Sequence, residues 1–444
     1  MDLLIKNGVL LTMDEGNRVL KNGALLIQDD KIIDIGENSV LERRYSETDE
    51  ILDAKGRVVM PGFICTHMHL YSAFATGIPL PPFPKGFVEV LKNLWWKIDK
   101  ALLREDIYYS ALLGYIQAIK SGTTTIFDHH ASPSYITGSL DEIEKAGREL
   151  GVRSNLCYEV TNRNGDEGAE EGLRENERFI EKCKSSEDDL FDGLLGLHAS
   201  FTISQETMAL AQEIVKQLET GIHIHVAEGK ADMTHARQNF NCTVVERLHK
   251  HRLLSPKSIL AHCIHLEDPD YSILQETRAN VVHQPRSNMN NAVGTLDIWK
   301  LKANNIPFGL GTDGMSADMK AEILVGALIH KHVRKDNTVG LTEVFGALFQ
   351  ANPRIVQQIQ GVDIGRLAVH NKGDVIITGY YPKSPIDSTN MLGHVLFGVI
   401  HESVASTIIN GRICMQEGVI PNINEHEISE KSQKLAEKVW DRLD

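Results

Sequence analysis

The sequence predicts an α/β protein, a closed (β/α)8 barrel of eight parallel strands with outer helices, plus a small β-sandwich domain formed by both chain termini. Three observations lead to this prediction. Short apolar runs recur after residue 60, each ends in polar residues, and helical patterns lie between them. Strands that alternate with helices are joined by crossovers and lie parallel. Eight such units favour a closed barrel over the alternative, an open doubly wound sheet.

The beginning of the chain predicts a small β module. One pair of apolar runs surrounds Asn7-Gly8, and a second pair surrounds the polar residues 29–31. Asparagine–glycine and aspartate-rich turns between β-branched runs are typical of β-hairpins. We therefore expect short strands joined by hairpin turns within residues 1–58.

The end of the chain predicts strands again. The runs at 372–377 and 404–409 predict two strands. The second is followed by Asn410-Gly411, which predicts another hairpin. The apolar spacing over 426–443 predicts a final helix. The simplest account is that both chain ends fold together beside the barrel. The expected domain bounds are 1–58 and 366–444 for the β-sandwich with its C-terminal helix, and 59–365 for the barrel.

Eight apolar runs are the predicted barrel strands, and the periodic stretches between them are the predicted helices. The strands are expected at 62–66, 123–127, 152–156, 194–197, 222–224, 258–261, 280–282 and 306–310. The clearest helix spans 104–120, where apolar residues repeat along one face. The other helices are expected at about 140–149, 168–184, 205–218, 240–251, 267–277, 294–304 and 317–334.

Composition limits the classes of protein. The 444 residues exceed one small domain but suit a large barrel with an appended module. The net charge of −14 argues against nucleic acid and anionic membranes as partners. The six cysteines include no Cys-x-x-Cys pair, which fits a reducing compartment. Because the sequence shows neither a signal-peptide pattern nor an apolar run near the ~20 residues of a membrane span, we expect a cytoplasmic protein.

Three predicted strand ends offer four metal ligands. His67 and His69 end the first strand, and their spacing puts both side chains on one face of an extended backbone. His225 ends the fifth strand and Asp313 follows the eighth. A barrel brings these strand ends together around one mouth. Three imidazoles and one carboxylate suit Zn²⁺ or Fe²⁺, with a position left for water.

Two further residues could supply acid–base chemistry beside such a metal. Glu228 lies three residues beyond His225, within reach of an attacking water, and could carry a proton to a leaving group. His262 ends the neighbouring sixth strand and could hydrogen-bond the water or the oxygen of a tetrahedral intermediate. Either residue alone could be structural, but their position at consecutive strand ends favours a catalytic pair.

The connection between the first two barrel strands is longer than a βα loop needs. It contains the proline-rich stretch 79–84, which includes Pro81 and Pro82, and then Trp95-Trp96. We interpret it as a candidate lid over the barrel mouth and Trp95 as a candidate substrate contact. Ordinary packing on the barrel rim is the alternative.

An ordered set of motifs resembles the amidohydrolase superfamily over essentially the whole chain. The motifs are Pro61-Gly62-Phe63 with His67-Met68-His69, His225-Val226-Ala227-Glu228, Ala261-His262-Cys263-Ile264-His265-Leu266, His283-Gln284-Pro285-Arg286-Ser287-Asn288 and Gly311-Thr312-Asp313-Gly314. They are most similar to the branch of aminohydrolases and chlorohydrolases that includes guanine deaminase, deaminases of adenosine derivatives and triazine hydrolases. The loop after the first strand is similar to aminohydrolases associated with selenium or purine metabolism.

The resemblance implies that the four ligands bind one divalent metal, zinc before iron, and that Glu228 and His262 are the catalytic pair. Asp313 would also accept a hydrogen bond from the attacking water. His198 matches a substrate contact, and it stands where two-metal relatives carry a carboxylated lysine, which favours a mononuclear site. Arg286 replaces a residue that is often small in relatives. It is a candidate substrate contact, with a structural salt bridge as the alternative.

The expected function is hydrolytic deamination of an aminated N-heterocycle, such as a purine, pyrimidine or triazine. Metal-activated hydroxide would attack the carbon that bears the amino group. Two alternatives stay open: hydrolysis of a cyclic amide, an imidazolone or a C–Cl bond in the same pocket, and a non-catalytic barrel scaffold. The expected partner is a small molecule, and the resemblance implies a homodimer.

Overall fold

The computed structural model describes residues 2–79 and 85–443, whose strands form three hydrogen-bonded sheets. The strands are β1 Asp2–Leu11, β2 Val19–Gln28, β3 Lys31–Glu37, β4 Glu50–Asp53, β5 Val58–Pro61, β6 Phe63–Met68, β7 Thr123–His130, β8 Arg153–Tyr158, β9 Phe191–Gly193, β10 Leu195–Ala199, β11 Ile222–Val226, β12 Ile259–His262, β13 Asn280–His283, β14 Phe308–Leu310, β15 Val375–Thr378, β16 Val404–Ile409 and β17 Arg412–Met415.

Most helices lie between barrel strands. They are α1 Asn38–Arg44, α2 Phe87–Val90, α3 Trp96–Ala101, α4 Arg104–Ser121, α5 Ser139–Leu150, α6 Asp166–Lys184, α7 Gln205–Leu218, α8 Lys230–Phe240, α9 Val244–Lys250, α10 Asp268–Thr277, α11 Pro285–Asn290, α12 Ile298–Ala303, α13 Met319–Arg334, α14 Leu341–Gly346, α15 Asn352–Gln360, α16 Met391–Phe397 and α17 Glu425–Trp440. Within the described ranges, no helix is both long and apolar enough to cross a membrane.

Eight strand positions close into a barrel. β6 to β9 form one parallel sheet and β10 to β14 another. β9 and β10 are two halves of the fourth strand, and a bridge between Val160 and Leu197 joins the two sheets there. At the other seam, the backbone N–H groups of Thr312 and Asp313 donate to the carbonyl of His67 at 2.8 and 3.0 Å. The predicted (β/α)8 barrel is therefore confirmed.

Strands from both chain ends form a single eight-stranded sheet. Its order is β17-β16-β15-β5-β1-β2-β3, and β4 pairs with β1. β5 connects the two ends because it lies parallel to β1 and antiparallel to β15. The sheet has its own apolar cluster, which includes Leu3, Ile5, Leu25, Ile27 and Val375. The joining of the chain ends is thus observed, while the sandwich form of this module stays a prediction.

Two of the three predicted hairpin turns are present, and the first is wrong. β2 and β3 pair across Asp29-Asp30, with Gln28 opposite Lys31, and β16 and β17 pair across Asn410-Gly411. At Asn7-Gly8, however, β1 runs on without reversing, and the register with β2 shifts. Asn7 adopts φ +55°, and its N–H donates to Asn38 of α1 at 2.9 Å. The asparagine–glycine pair therefore makes a bulge, because a side chain outside the sheet satisfies the backbone group.

The helical patterns located the outer layer but missed two parts of it. The predicted helix over 240–251 is α9, whereas α8, which begins two residues after Glu228, was not predicted. The stretch that contains α14 and α15 was also not predicted as helix. Residues of α15, among them Ile355 and Val356, pack with barrel-strand residues in one buried cluster. The C-terminal α17 packs against α4 and α3, so it lies on the barrel's helical layer.

Candidate active site

The four predicted ligands meet at the carboxyl ends of the barrel strands. The Nε2 atom of His69 lies 2.9 Å from Asp313 Oδ1 and 3.2 Å from Nε2 of His225. Nε2 of His67 lies 3.5 Å from the same Asp313 oxygen. One ligand atom from each of the four residues lies within 4.8 Å of all the others. His67 lies beside Asp313 because backbone hydrogen bonds join β6 to the segment after β14.

Each imidazole is held so that its Nε2 faces the centre of this group. The Nδ1–H of His69 donates to the carbonyl of His129 at 2.5 Å, and that of His225 donates to the carbonyl of His198 at 2.8 Å. The Nδ1 atom of His67 pairs with Nε2 of His223 at 2.8 Å. Such bonds fix the tautomer and orientation of a metal-binding histidine.

The residues fit a divalent cation. Nε2 of His225 carries a lone pair in its neutral ring and lies 3.2 Å from Nε2 of His69, so a cation, either a proton on His69 or a metal ion, has to lie between the two nitrogens. The buried Nε2 of His67 has no hydrogen-bond partner among the described residues. Burial lowers the pKa of His67 to about 3 and that of His225 well below its usual value, so both rings are neutral, as ligands must be. Three nitrogens and one carboxylate oxygen are a zinc-type donor set.

Asp313 is positioned by an unusual backbone and a hydroxyl. Its φ is +57°, a left-handed value that is uncommon for a residue other than glycine. Its Oδ2 accepts a hydrogen bond from the hydroxyl of Ser287. Burial alone would raise the pKa of this carboxyl group, but His67 and His69 hold it well below its usual range. Burial alone would lower the pKa of His69, but Asp313 raises that pKa to about 9. A bound metal cation would take the place of the proton that Asp313 attracts to His69.

Glu228 and His262 lie beside Asp313. Nε2 of His262 is 3.4 Å from Glu228 Oε2 and 4.0 Å from Asp313 Oδ2, and this nitrogen has no hydrogen-bond partner in the described part of the chain. His262 has φ +72°, and Ala227, just before Glu228, has φ +49°. Strained backbone of this kind is concentrated at functional sites. Burial, and then the Asp313 charge, raises the pKa of Glu228 well above its usual value.

One short helix orients three of these side chains. From α11 and the residue after it, Ser287 donates to Asp313, Asn288 Nδ2 donates to His262 Nδ1 at 2.7 Å, and Asn291 Nδ2 donates to Glu228 Oε1 at 3.2 Å. Because Nδ1 of His262 accepts, its Nε2 carries the proton in the neutral ring. The sequence interpretation gave no role to these α11 residues, and their spacing of three and four residues along a helix was the available signal.

A cavity opens above this group, and two of the three predicted substrate contacts line it. His198 lines it, with Nδ1 2.7 Å from the hydroxyl of Thr202. Trp95 also lines it, and its ring lies so close to Gly314 that a Cβ there would come within 2.8 Å. The remaining walls are mainly aromatic or acidic, and they include Tyr71, Phe87, Trp96, Asp99, Glu159, Phe201 and Asp232. Pro81 and Pro82, in the predicted lid, lie outside the described residues.

Arg286, the third predicted contact, points away from this cavity's lining. Its Nε donates to the fully buried Glu322 at 2.5 Å, and its Nη atoms donate to the hydroxyl and carbonyl of Ser316 at 3.1 and 2.8 Å. These bonds join α11 to α13 through Glu322, and to the loop that follows Asp313 through Ser316. The geometry favours the salt-bridge alternative, and a direct role in substrate binding stays a prediction.

The sequence interpretation also missed a buried ionic group on the cavity wall. Arg163 donates to Asp99 at 3.0 Å, lies 3.4 Å from Glu159 and stacks over Trp96 with 4.5 Å to the ring centroid. Burial raises the pKa of Asp99 to about 6, against the opposing effect of Arg163. Glu159 follows β8, so the rule that strand ends form the site would have identified it.

Comparisons with known proteins agree with this geometry. A 5'-deoxyadenosine deaminase of Methanosarcina mazei is 30% identical over 450 residues, which are 100% of this chain and 99% of the relative. A 5-methylthioadenosine/S-adenosylhomocysteine deaminase of Halothermothrix orenii is 28% identical over 454 residues, which are 99% of this chain and 100% of the relative. The crystal structure of a zinc-bound adenosine deaminase from Xanthomonas campestris has the same fold, with a TM-score of 0.86 at 17% identity, over 99% of this chain and 98% of the other.

A family comparison covers most of the chain. Residues 58–414 match the Amidohydrolase family, and this range contains every predicted ligand and catalytic residue. The comparisons confirm the resemblance that the motifs indicated, together with the expectation of an enzyme that hydrolyses C–N bonds other than peptide bonds. The chain therefore belongs to the amidohydrolase family.

Proposed function

We propose that the protein is a metal-dependent hydrolytic deaminase of an aminated N-heterocycle. The observation that carries the proposal is that two groups of side chains meet at Asp313. The first group is the zinc-type donor set, and the second contains Glu228 and His262. In the reaction, water adds to the ring carbon that bears the amino group. A C–O bond forms, the C–N bond breaks, and ammonia leaves.

We assign the donor set to one divalent ion, Zn²⁺ before Fe²⁺. His67, His69, His225 and Asp313 would hold it, and the bonds from His69 and His225 to backbone carbonyls favour binding through Nε2. When bound, such an ion lowers the pKa of water towards ~7 and so supplies hydroxide at neutral pH. Asp313 Oδ2 faces His262 and would accept a proton or hydrogen bond from the water.

Glu228 and His262 have the acid–base roles in this proposal. Glu228 would give a proton to the ring nitrogen and later help ammonia leave, since it is close to Asp313 but is not one of the four ligands. The Nε2–H of His262 points into the gap between Glu228 and Asp313. It would donate to the oxygen that becomes negatively charged during attack.

We propose purines with an exocyclic amino group, and first a nucleoside modified at its 5' position, as the substrate. The relatives named for 5'-deoxyadenosine and 5-methylthioadenosine match essentially the full chain, which supports this choice. The aromatic walls formed by Trp95 and Trp96 suit a flat ring. His198 lies on the same wall and could hydrogen-bond a ring nitrogen.

The test is ammonia release by zinc-loaded protein. 5'-Deoxyadenosine, 5-methylthioadenosine, adenosine, guanine, aminopyrimidines and aminotriazines form the panel, and at least one purine is expected to release ammonia. Glu228→Gln should keep its zinc and lose at least about 100-fold in kcat, the low end for general acid–base catalysis. Glu276→Gln, on the exposed face of α10, is the matched control and should keep full activity.

Two results would contradict the proposal. Absence of ammonia from every aminated ring would exclude the deaminase activity, and an active Glu228→Gln variant would exclude the role of Glu228. The proposed domain bounds, 1–58 and 366–444 beside 59–365, and the sandwich form of the terminal module are separate predictions. So are the homodimer and the cytoplasmic location.

A further inference from the structure

A second set of ligand atoms lies directly beside the first. His129, in β7, and Glu159, just after β8, are both buried, and His129 Nδ1 lies 3.2 Å from Glu159 Oε2. One ligand atom from each of His129, Glu159, His69 and His225 lies within 4.8 Å of all the others. The second set therefore shares two histidines with the first and replaces His67 and Asp313.

The ring of His129 presents a lone pair to this space. Its Nε2–H donates to the carbonyl of His223 at 3.0 Å, so Nδ1 of the neutral ring is unprotonated. That Nδ1 is fully buried and has no hydrogen-bond partner among the residues described. An unprotonated nitrogen and a carboxylate oxygen 3.2 Å apart are both acceptors. Either a proton on Nδ1, which makes a His129–Glu159 ion pair, or a metal cation between the two atoms would satisfy both.

Glu159 is available as an anion. Its other carboxylate oxygen, Oε1, lies 3.4 Å from Arg163 and 3.6 Å from Nε2 of His198. The Arg163 cation and the His198 ring lie on the Oε1 side of the carboxyl group, while Oε2 faces His129. Glu159 can thus bind a cation through one oxygen while the other keeps its contacts with the cavity wall.

We propose that the site contains a second position for its divalent ion, formed by His69 Nε2, His225 Nε2, His129 Nδ1 and Glu159 Oε2. The inference rests on the proposed use of His69 and His225 as metal ligands. Both positions offer three imidazoles and one carboxylate, so zinc meets the same donor chemistry in each. The two sets have His69 and His225 in common.

The two positions exclude each other. An imidazole nitrogen has one lone pair, and the Nδ1–H groups of His69 and His225 are engaged with backbone carbonyls. One ion therefore occupies either position but two ions cannot be fully bound at once. The group of Glu228, His262 and Asp313 shares Asp313 with the first set and no residue with the second. In the second position the ion therefore has no ligand in common with this acid–base group, and we expect it to be inactive there.

The test separates metal binding from activity. In Asp313→Asn and, independently, His67→Asn, the first set loses one ligand and the second stays intact. Each variant should keep about one zinc per chain, and anomalous diffraction at the zinc edge should place it between His129 and Glu159. Adding His129→Asn should then weaken zinc binding at least about tenfold, because even losing a residue that only orients a ligand costs about 10–100-fold.

His130→Asn is the matched control. His130 is the next residue along β7, it is equally buried, and its Nε2 pairs with the hydroxyl of Ser132 at 2.9 Å, outside both donor sets. Adding His130→Asn to either single variant should leave the zinc content unchanged. Circular dichroism and melting temperature establish that each variant is folded before its zinc is measured.

The outcomes distinguish this inference from the proposed function. Loss of zinc from folded Asp313→Asn and His67→Asn, or zinc that stays in the first set, overturns the second position and leaves the deaminase proposal intact. Wild-type protein that binds no zinc overturns both. If neither variant folds, wild-type crystals decide: two anomalous peaks support the second position, and a single peak in the first set overturns it.

Discussion

The side-chain amide of Asn291 donates to Oε1 of Glu228 at 3.2 Å, while Oε2 of the same carboxyl group faces His262 at 3.4 Å. The two oxygens of Glu228 are therefore in different environments. Oε1 accepts a hydrogen bond from the amide nitrogen of Asn291, which can only donate. Oε2 faces Nε2 of His262. In the proposed reaction, this arrangement leaves Oε2, on the side of His262, to carry the exchangeable proton of Glu228.

Replacing Asn291 should lower turnover more than binding. Asn291→Leu keeps the branching at Cγ but leaves Oε1 of Glu228 without its donor, at a cost of about 1–1.5 kcal/mol. Since 1.36 kcal/mol corresponds to a tenfold change in rate, we expect kcat to fall about tenfold. Steady-state kinetics should show a smaller change in KM and a shifted pH profile. Asn239→Leu, on the exposed face of α8, is the control, and equal kinetics for both variants would contradict the role of Asn291.

Arg286 should matter for stability more than for substrate affinity. Arg286→Ala leaves the carboxylate of Glu322 buried without its partner, which costs about 3–5 kcal/mol. Burial already raises the pKa of Glu322 to about 7 against the effect of Arg286. Chemical denaturation should detect the loss, and KM should change little. The double variant Arg286→Met with Glu322→Leu should recover most of the stability. A large rise in the KM of Arg286→Ala would instead support substrate binding by Arg286.

The ion pair between Arg57 and Glu417 should give a pH-dependent contribution to stability. Arg57 donates to both oxygens of Glu417 at 2.9 and 2.8 Å and lowers the pKa of Glu417 to about 2. A lowered pKa stabilises the fold above the usual value of 4.5, and the contribution is lost as the pH falls towards 2. Because the Glu417 side chain is 49% exposed, Glu417→Gln should cost at most about 1 kcal/mol at pH 7.

Urea denaturation at several pH values measures the free energy of unfolding of wild type and of Glu417→Gln. The gap between these two free energies should narrow steadily below pH 4.5 and close near pH 2. Glu47→Gln, in an exposed turn, should show no gap at any pH. A gap that stays constant from pH 7 to pH 2 would mean that the pair contributes nothing through its charge.

Metal removal should destabilise the barrel mouth as well as stop the reaction. A ligand that binds only the folded state adds about 2.7 kcal/mol at a free concentration of 100 times Kd. Without the ion, this contribution is lost, and the ligand atoms of His67, His69, His225 and Asp313 keep only their contacts with one another and with the rest of the protein. A chelator should therefore lower the melting temperature and abolish ammonia release, and added zinc should restore both. Equal melting temperatures with and without chelator would argue against a cation in this group.

The periodic patterns located the barrel, and the strand ends located the four candidate ligands. His67, His225 and Asp313 could be grouped because parallel strands of a barrel end on the same side, a rule that needs no coordinates. Turn chemistry was less reliable. Asn7-Gly8 has the composition of a hairpin, yet the chain continues straight because Asn38 satisfies the Asn7 backbone group. The local sequence therefore indicated the left-handed backbone at Asn7, but not the hydrogen bond from its N–H to Asn38.

The sequence by itself determined which residues could bind a metal and carry protons, since their chemistry and their place at strand ends are both written in the chain. Only the tertiary structure decided which side chains face each other. Asn291 meets Glu228, Arg286 meets Glu322, and His129 meets Glu159 across 63, 36 and 30 residues of sequence. Such pairs depend on side-chain direction and on the packing of separate elements, which no local pattern encodes.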